Sequence, residues 1–184
     1  MKLYTDRQSR VTHRLALASA LMRLRPMWID VHPDSGVCRS SAFLRMSPLG
    51  RLPVLDDQGA VVWSSAAILQ FMAARYRCDS DWMPSDALGM ARVCAWMTTA
   101  DHAFPDGQHD RGVGSRMVGL LQAMDIQLVA STFIAGSRPT VADIALYSDI
   151  RSHWHLRSEE IAAGTICPWM TRIEALPGFR WCTP

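Results

Sequence analysis

The most constraining stretch of this sequence is a tight turn. Leu52-Pro53-Val54-Leu55 and Ala60-Val61-Val62-Trp63 flank Asp56-Asp57-Gln58-Gly59. Two short β-prone runs joined this closely must pair antiparallel, with Gly59 supplying a positive φ. The two earlier strand-like runs, Met1–Thr5 and Met27–Val31, are instead separated by Val11–Arg23. There Val11, Leu15, Ala18 and Met22 form the apolar stripe of an amphipathic helix, and Pro26 stops it. Strands joined through a helix run parallel. A further helical segment over 39–46 and an apolar helix over 66–76 complete a β-α-β-α-β-β-α order. The prediction is a mixed four-stranded sheet carrying helices, a thioredoxin-like arrangement.

After residue 77 the strand pattern stops. Residues 78–86, with Cys78 and Pro84, read as a linker. Segments 87–100, 115–130, 140–151 and 168–175 each show helical spacing, so 87–184 is expected to be an all-helical domain, with a loop over 101–114. The predicted division is 1–77, 78–86 and 87–184. Within the last part, Thr140-Val141-Ala142-Asp143 is a capping-box variant, with the acidic side chain reaching back to the threonine N–H.

Nineteen basic residues, eighteen of them Arg, against seventeen acidic ones leave a net charge of +2 with no basic stripe or arm. A nucleic-acid partner is therefore not expected. Nor is a membrane partner, since no run approaches the ~18 apolar residues of a membrane span. The five cysteines are scattered without a C-x-x-C pair, so neither a disulfide framework nor a metal site is expected, and the default is a cytoplasmic protein with reduced thiols. His153-Trp154-His155 lacks a third ligand nearby and reads as a surface turn, and His102, His109 and Asp110 as a polar loop.

Four ordered motifs then resemble one family: 47–55 (SPLGRLPVL), 62–71 (VWSSAAILQF), 133–145 (FIAGSRPTVADIA) and 168–179 (PWMTRIEALPGF). Together they cover nearly the whole chain, and their style is that of the glutathione S-transferases. The resemblance implies glutathione as co-substrate, a small hydrophobic electrophile as second substrate and a homodimer. It also implies a cis peptide before Pro53, leaving the Leu52 N–H and C=O for the cysteinyl backbone of glutathione. Ser65 is implied for the γ-glutamyl carboxylate. By itself, Ser65 before an apolar helix also reads as that helix's N-cap. Ser64 stands where relatives carry an acidic residue or Gln. Arg51 faces the glycyl carboxylate in the same analogy, or is a solvated surface residue.

A glutathione transferase must hold its thiol as thiolate, which from a free value of about 8.5 needs roughly 2 kcal/mol of selective stabilisation at pH 7. One hydroxyl at a helix start suffices. Ser9, between the first strand and the first helix, is the candidate, and it reads equally as an ordinary N-cap. Thr5, Thr12 and Tyr4 are weaker candidates. Trp96, Thr99, His102 and Phe104 are candidate walls of an acceptor pocket. The 101–114 segment is short where relatives continue two long helices. Three readings follow: conjugation of glutathione to an apolar electrophile; a non-catalytic binding or scaffolding module; and a glutathione-dependent isomerase, dehalogenase or peroxidase.

Overall fold

The computed structural model describes residues 1–76, 82–104 and 112–180. Strand β1 (Lys2–Thr5) is an inner strand of the sheet order β2-β1-β3-β4. It runs parallel to β2 (Met27–Asp30), with Leu3 opposite Trp28, and antiparallel to β3 (Val54–Asp57), with Leu3 opposite Leu55. The antiparallel partner of β3 is β4 (Ala60–Trp63), and Gly59 in the turn has φ +94°. Helices α1 (Arg10–Leu21), α2 (Ser41–Met46) and α3 (Ser65–Arg75) complete the thioredoxin-like order.

Alternation along the strands gives the sheet two buried faces. Leu3 and Leu55 point to the side of α1 and α3, into one core with Leu15, Ile68 and Met72. Val54 points the other way, to a smaller cluster with Val31, Cys38 and Phe43. Tyr4 packs against this second cluster, edge-on to Phe43 at 6.4 Å.

Helix α1 ends at Leu21, before the stop expected at Pro26. Arg23 takes φ +54°, and the Leu24 N–H closes on the Ser19 carbonyl at 2.7 Å. This left-handed wrap satisfies the last carbonyls without help from proline. The segment expected over 39–46 is divided, because the Ser40 hydroxyl accepts from the Phe43 N–H at 3.2 Å and starts α2 afresh after a 3₁₀ turn.

Among the described residues the rest is helical, with α4 (Ala87–Ala103), α5 (Val113–Ala130), α6 (Val141–Ser152), α7 (Ser158–Ala163) and α8 (Ile166–Glu174). Asp101 and His102 are therefore helical, not loop, because α4 runs on three residues past Ala100. Residue 77, residues 78–81 of the expected linker and 105–111 of the expected loop, with His109 and Asp110, lie outside the described residues. Cys78 and Cys182 do too. His153 is half-buried and stacks on Phe104 at 4.8 Å between ring centroids, and Trp154–Leu156 is a 3₁₀ turn.

α6 is the spine of the molecule, buried from Val141 to Ile150 and packed on both α1 and α4. Met97, Leu121, Ile144 and Trp169 join Leu15 and Ile68 in a single apolar core, so the sheet and the helical half are continuous. At the start of α6 the Asp143 carboxylate accepts from the Thr140 N–H (2.8 Å) and hydroxyl (3.0 Å), the Ile134 N–H (2.8 Å) and the Trp169 indole N–H (2.9 Å). Burial raises its pKa, and those hydrogen bonds oppose the rise. The reach back to Thr140 is the box expected from the sequence.

Candidate functional site

Three chain segments converge on the ends of β1 and α3. The first is the β1–α1 connection. Asp6 organises it, its carbonyl accepting from the Ser9 N–H (3.0 Å) and the Thr12 hydroxyl (2.6 Å). Ser9 then caps α1, its Oγ accepting from the Val11 N–H at 3.3 Å. A hydroxyl that accepts at a cap still has its hydrogen to donate, and that of Ser9 meets no acceptor among the described residues. The cap reading and the thiol reading are thus compatible.

The second segment is 47–53. Ser47 is fully buried and holds the backbone of one residue from both sides, its Oγ accepting from the Arg51 N–H (3.0 Å) and donating to the Arg51 carbonyl (2.9 Å). Gly50, at φ +61°, lies so near the Cys38 carbonyl that a Cβ would stand 2.7 Å from it. The Leu52–Pro53 bond is cis, as the motif predicts. Pro53 is buried, Leu52 half-buried and the Arg51 side chain exposed. Ser47 was within the quoted motif but was not singled out, since nothing in a serine's identity announces a double backbone contact.

The third segment opens α3, and here one expectation is corrected. Ser65 is not the N-cap. Ser64 holds that position with φ +77° and an exposed side chain that makes no capping bond. Ser65 is the first helical residue, 4% exposed, and its Oγ accepts from Arg14 Nη1 at 2.9 Å. A guanidinium has taken the lone pair that a cap would have given to the helix.

Arg14 comes from α1 and is 1% exposed. Besides Ser65 it donates through Nη1 to Asp101 of α4 (3.0 Å) and through Nη2 to Asp149 of α6 (2.5 Å). Arg10 Nη1 donates to the other Asp149 oxygen at 2.7 Å, and Arg10 also bonds the Phe104 carbonyl. Burial alone would lower the Arg14 pKa, but Asp149 and Asp101 outweigh it and hold the group charged above its ordinary value. Sequence reasoning missed this network. Its signals were Asp149 inside an apolar run and two arginines four apart on α1.

The acceptor candidates Trp96, Thr99 and His102 lie along α4. Trp96 is half-buried against the core, and Thr99 and His102 are exposed, the Thr99 hydroxyl bonding back to the Ala95 carbonyl at 2.8 Å. Phe104 is corrected to a core residue, 2% exposed, between His153 and the Arg10 guanidinium. A groove of about 840 Å³ instead runs along α1, lined by Thr5, Arg7, Thr12, Trp28 and Arg180 among others. It shares the β1–α1 connection with Ser9, but none of Ser9, Leu52, Pro53, Ser64 and Ser65 lines it.

A thioredoxin-like sheet with a cis-proline loop and a serine-headed α3, joined through α1 to a helical half, defines a glutathione-transferase-like class. Comparison with known proteins agrees. Residues 1–74 match the family model described as glutathione S-transferase, N-terminal domain. The chain is 25% identical over 169 residues to glutathione S-transferase theta-2B of Homo sapiens, covering 80% of this chain and 69% of that protein. It is 35% identical over 95 residues to maleylacetoacetate isomerase of Pseudomonas aeruginosa, a match spanning 50% of this chain and 44% of the isomerase. A crystal structure of a possible glutathione S-transferase from Rhodopseudomonas palustris superposes with TM-score 0.80 at 26% identity, over 97% of this chain and 95% of that one. Residues 1–74 thus match the N-terminal domain of the glutathione S-transferases, and the chain as a whole is similar to glutathione S-transferases in sequence and fold.

Proposed function

We propose that this chain is a glutathione transferase that joins the glutathione thiolate to a small apolar electrophile. The observation that carries the reading is Ser9, whose hydroxyl caps α1 and keeps its hydrogen to donate beside the helix's positive end. In this reading Ser9 stabilises the thiolate, the Leu52 main chain beside cis-Pro53 pairs with the cysteinyl residue, and Ser65 with the first turn of α3 takes the γ-glutamyl carboxylate. Ser64 and Arg51 are exposed contacts at the rim, and Trp96, Thr99 and His102 flank the acceptor. Glutathione is a co-substrate, and no metal is invoked. The glutathione-binding part is 1–77 and the helical part 87–184, with 78–86 between.

The same reading includes a homodimer, supported by apolar side chains left exposed on β4 (Val61, Trp63) and at the start of α4 (Leu88, Met90). It also includes a cytoplasmic, detoxifying role; no described helix is long and apolar enough to cross a membrane.

The test is retention on immobilised glutathione, followed by a thiolate absorbance titration and an electrophile-conjugation rate. Ser9→Ala is expected to lower the rate about 10–100-fold while retention is unchanged, the loss of one hydrogen bond to a charged acceptor. No retention by the unaltered chain and no thiolate signal would remove the reading. The isomerase relative favours a second one, in which glutathione adds to and leaves an unsaturated substrate. Glutathione left unconsumed while a cis double bond turns trans would select it.

A further inference from the structure

We propose that Arg14 is a positioning residue for the glutathione site: it fixes the Ser65 hydroxyl as a donor aimed at the γ-glutamyl α-carboxylate, with Asp101 tuning the strength of that contact. The inference rests on the reading of Ser65 given above.

A serine hydroxyl can accept or donate, and in many sites it does either. A guanidinium has donors only, so the 2.9 Å contact with Arg14 Nη1 has one polarity, with Ser65 Oγ accepting. The Ser65 hydrogen must then point elsewhere. Ser64 supplies no capping bond, so the first-turn N–H groups of α3, at the helix end that Ser65 begins, are left without a side-chain cap. A hydroxyl hydrogen and uncapped amide hydrogens at one helix start are a complementary set for a carboxylate.

The charge arrangement makes this more than a tie between helices. Asp149 is fully buried and shared by Arg10 and Arg14, so its charge is matched on both oxygens. Asp101 is different, because its side chain is 46% exposed and it bonds the same Nη1 that faces Ser65. Removing the Asp101 charge while keeping an acceptor leaves the Arg14 contacts in place. It also raises the positive potential at Ser65. A ligand without the α-carboxylate keeps only its ammonium at that place, so it should gain nothing from either effect, which separates positioning from simple support of the fold.

The experiment is titration calorimetry on the full chain with two ligands, glutathione and γ-aminobutyryl-cysteinyl-glycine, the same molecule with a hydrogen in place of the γ-glutamyl α-carboxylate. Arg14→Met is expected to weaken glutathione about tenfold, and to change the analogue by less than about twofold. Arg14→Met in a Ser65→Ala background should add almost nothing to Ser65→Ala alone. Asp101→Asn should tighten glutathione roughly two- to threefold, fail to tighten the analogue, whose remaining ammonium meets the raised potential as repulsion, and steepen the salt dependence of glutathione binding. If Arg14→Met does not fold, the Asp101→Asn arm decides, since that side chain is half in solvent. Equal losses for both ligands, or an Asp101→Asn variant that binds glutathione no better, would overturn the inference while the transferase reading stands. An unaltered chain that binds neither ligand would remove both.

Discussion

The two ends of α6 each bury one carboxylate and satisfy it in opposite ways. Asp143, at the start, is 1% exposed and accepts only from uncharged donors: two backbone N–H groups, a threonine hydroxyl and an indole. Asp149, near the end, is fully buried and faces two guanidinium groups from α1. The first knits the helical half to itself, from the 132–136 turn to α8. The second crosses to the thioredoxin-like half and, through Arg14, reaches Ser65. The lesson is that buried polarity made of neutral donors holds a fold, whereas buried polarity made of charges also carries information between its parts.

The sharpest way to break that comparison is to remove one charge at a time. Asp149→Asn is expected to cost about 3–5 kcal/mol in urea unfolding, because Arg14 keeps its burial and loses its main counter-charge. Asp143→Asn should cost about 1–3 kcal/mol, since no ion is left unpaired and the amide oxygen still accepts. Equal losses would erase the distinction. The stable fraction of Asp143→Asn should still be retained on glutathione, while Asp149→Asn should bind it more weakly.

A smaller change sharpens the neutral end. Thr140→Val deletes a hydroxyl that bonds Asp143 but leaves the backbone bond, so a loss of about 1 kcal/mol is expected by thermal or urea denaturation. The smallest effect concerns pH. Burial lowers the His13 pKa, so between its ordinary value near 6.5 and the lower folded value the unfolded chain binds more protons. Stability should therefore fall as pH drops through about 6.5, and His13→Gln should flatten that part of the profile without altering retention on glutathione.

Much of the fold was legible because its signals are local. The Asp56–Gly59 turn dictated one antiparallel pair, the α1 stripe dictated a parallel one, and Thr140-x-x-Asp143 announced its helix start. The Leu52–Pro53 motif gave the cis bond by resemblance. What could not be read was the partner of each polar group across space. Ser65 stands where a cap stands in sequence, and only the arrival of Arg14, 51 residues earlier, shows why it does not cap. Phe104 read as a pocket wall because it follows the first helical segment of the second half, yet it is covered by His153 from 49 residues further on. The α4 stop was misjudged by three residues, since nothing between Ala100 and Ala103 breaks a helix.

One guanidinium that touches α1, α3, α4 and α6 also bears on modularity. A gene cut within 77–81 would make a first fragment whose Arg14 keeps Ser65 but loses both of its carboxylates. Such a fragment would have to drown that charge in solvent by opening its own interior. The two halves should therefore melt as one unit and resist being swapped, piece by piece, with those of a cousin that lacks this four-way knot.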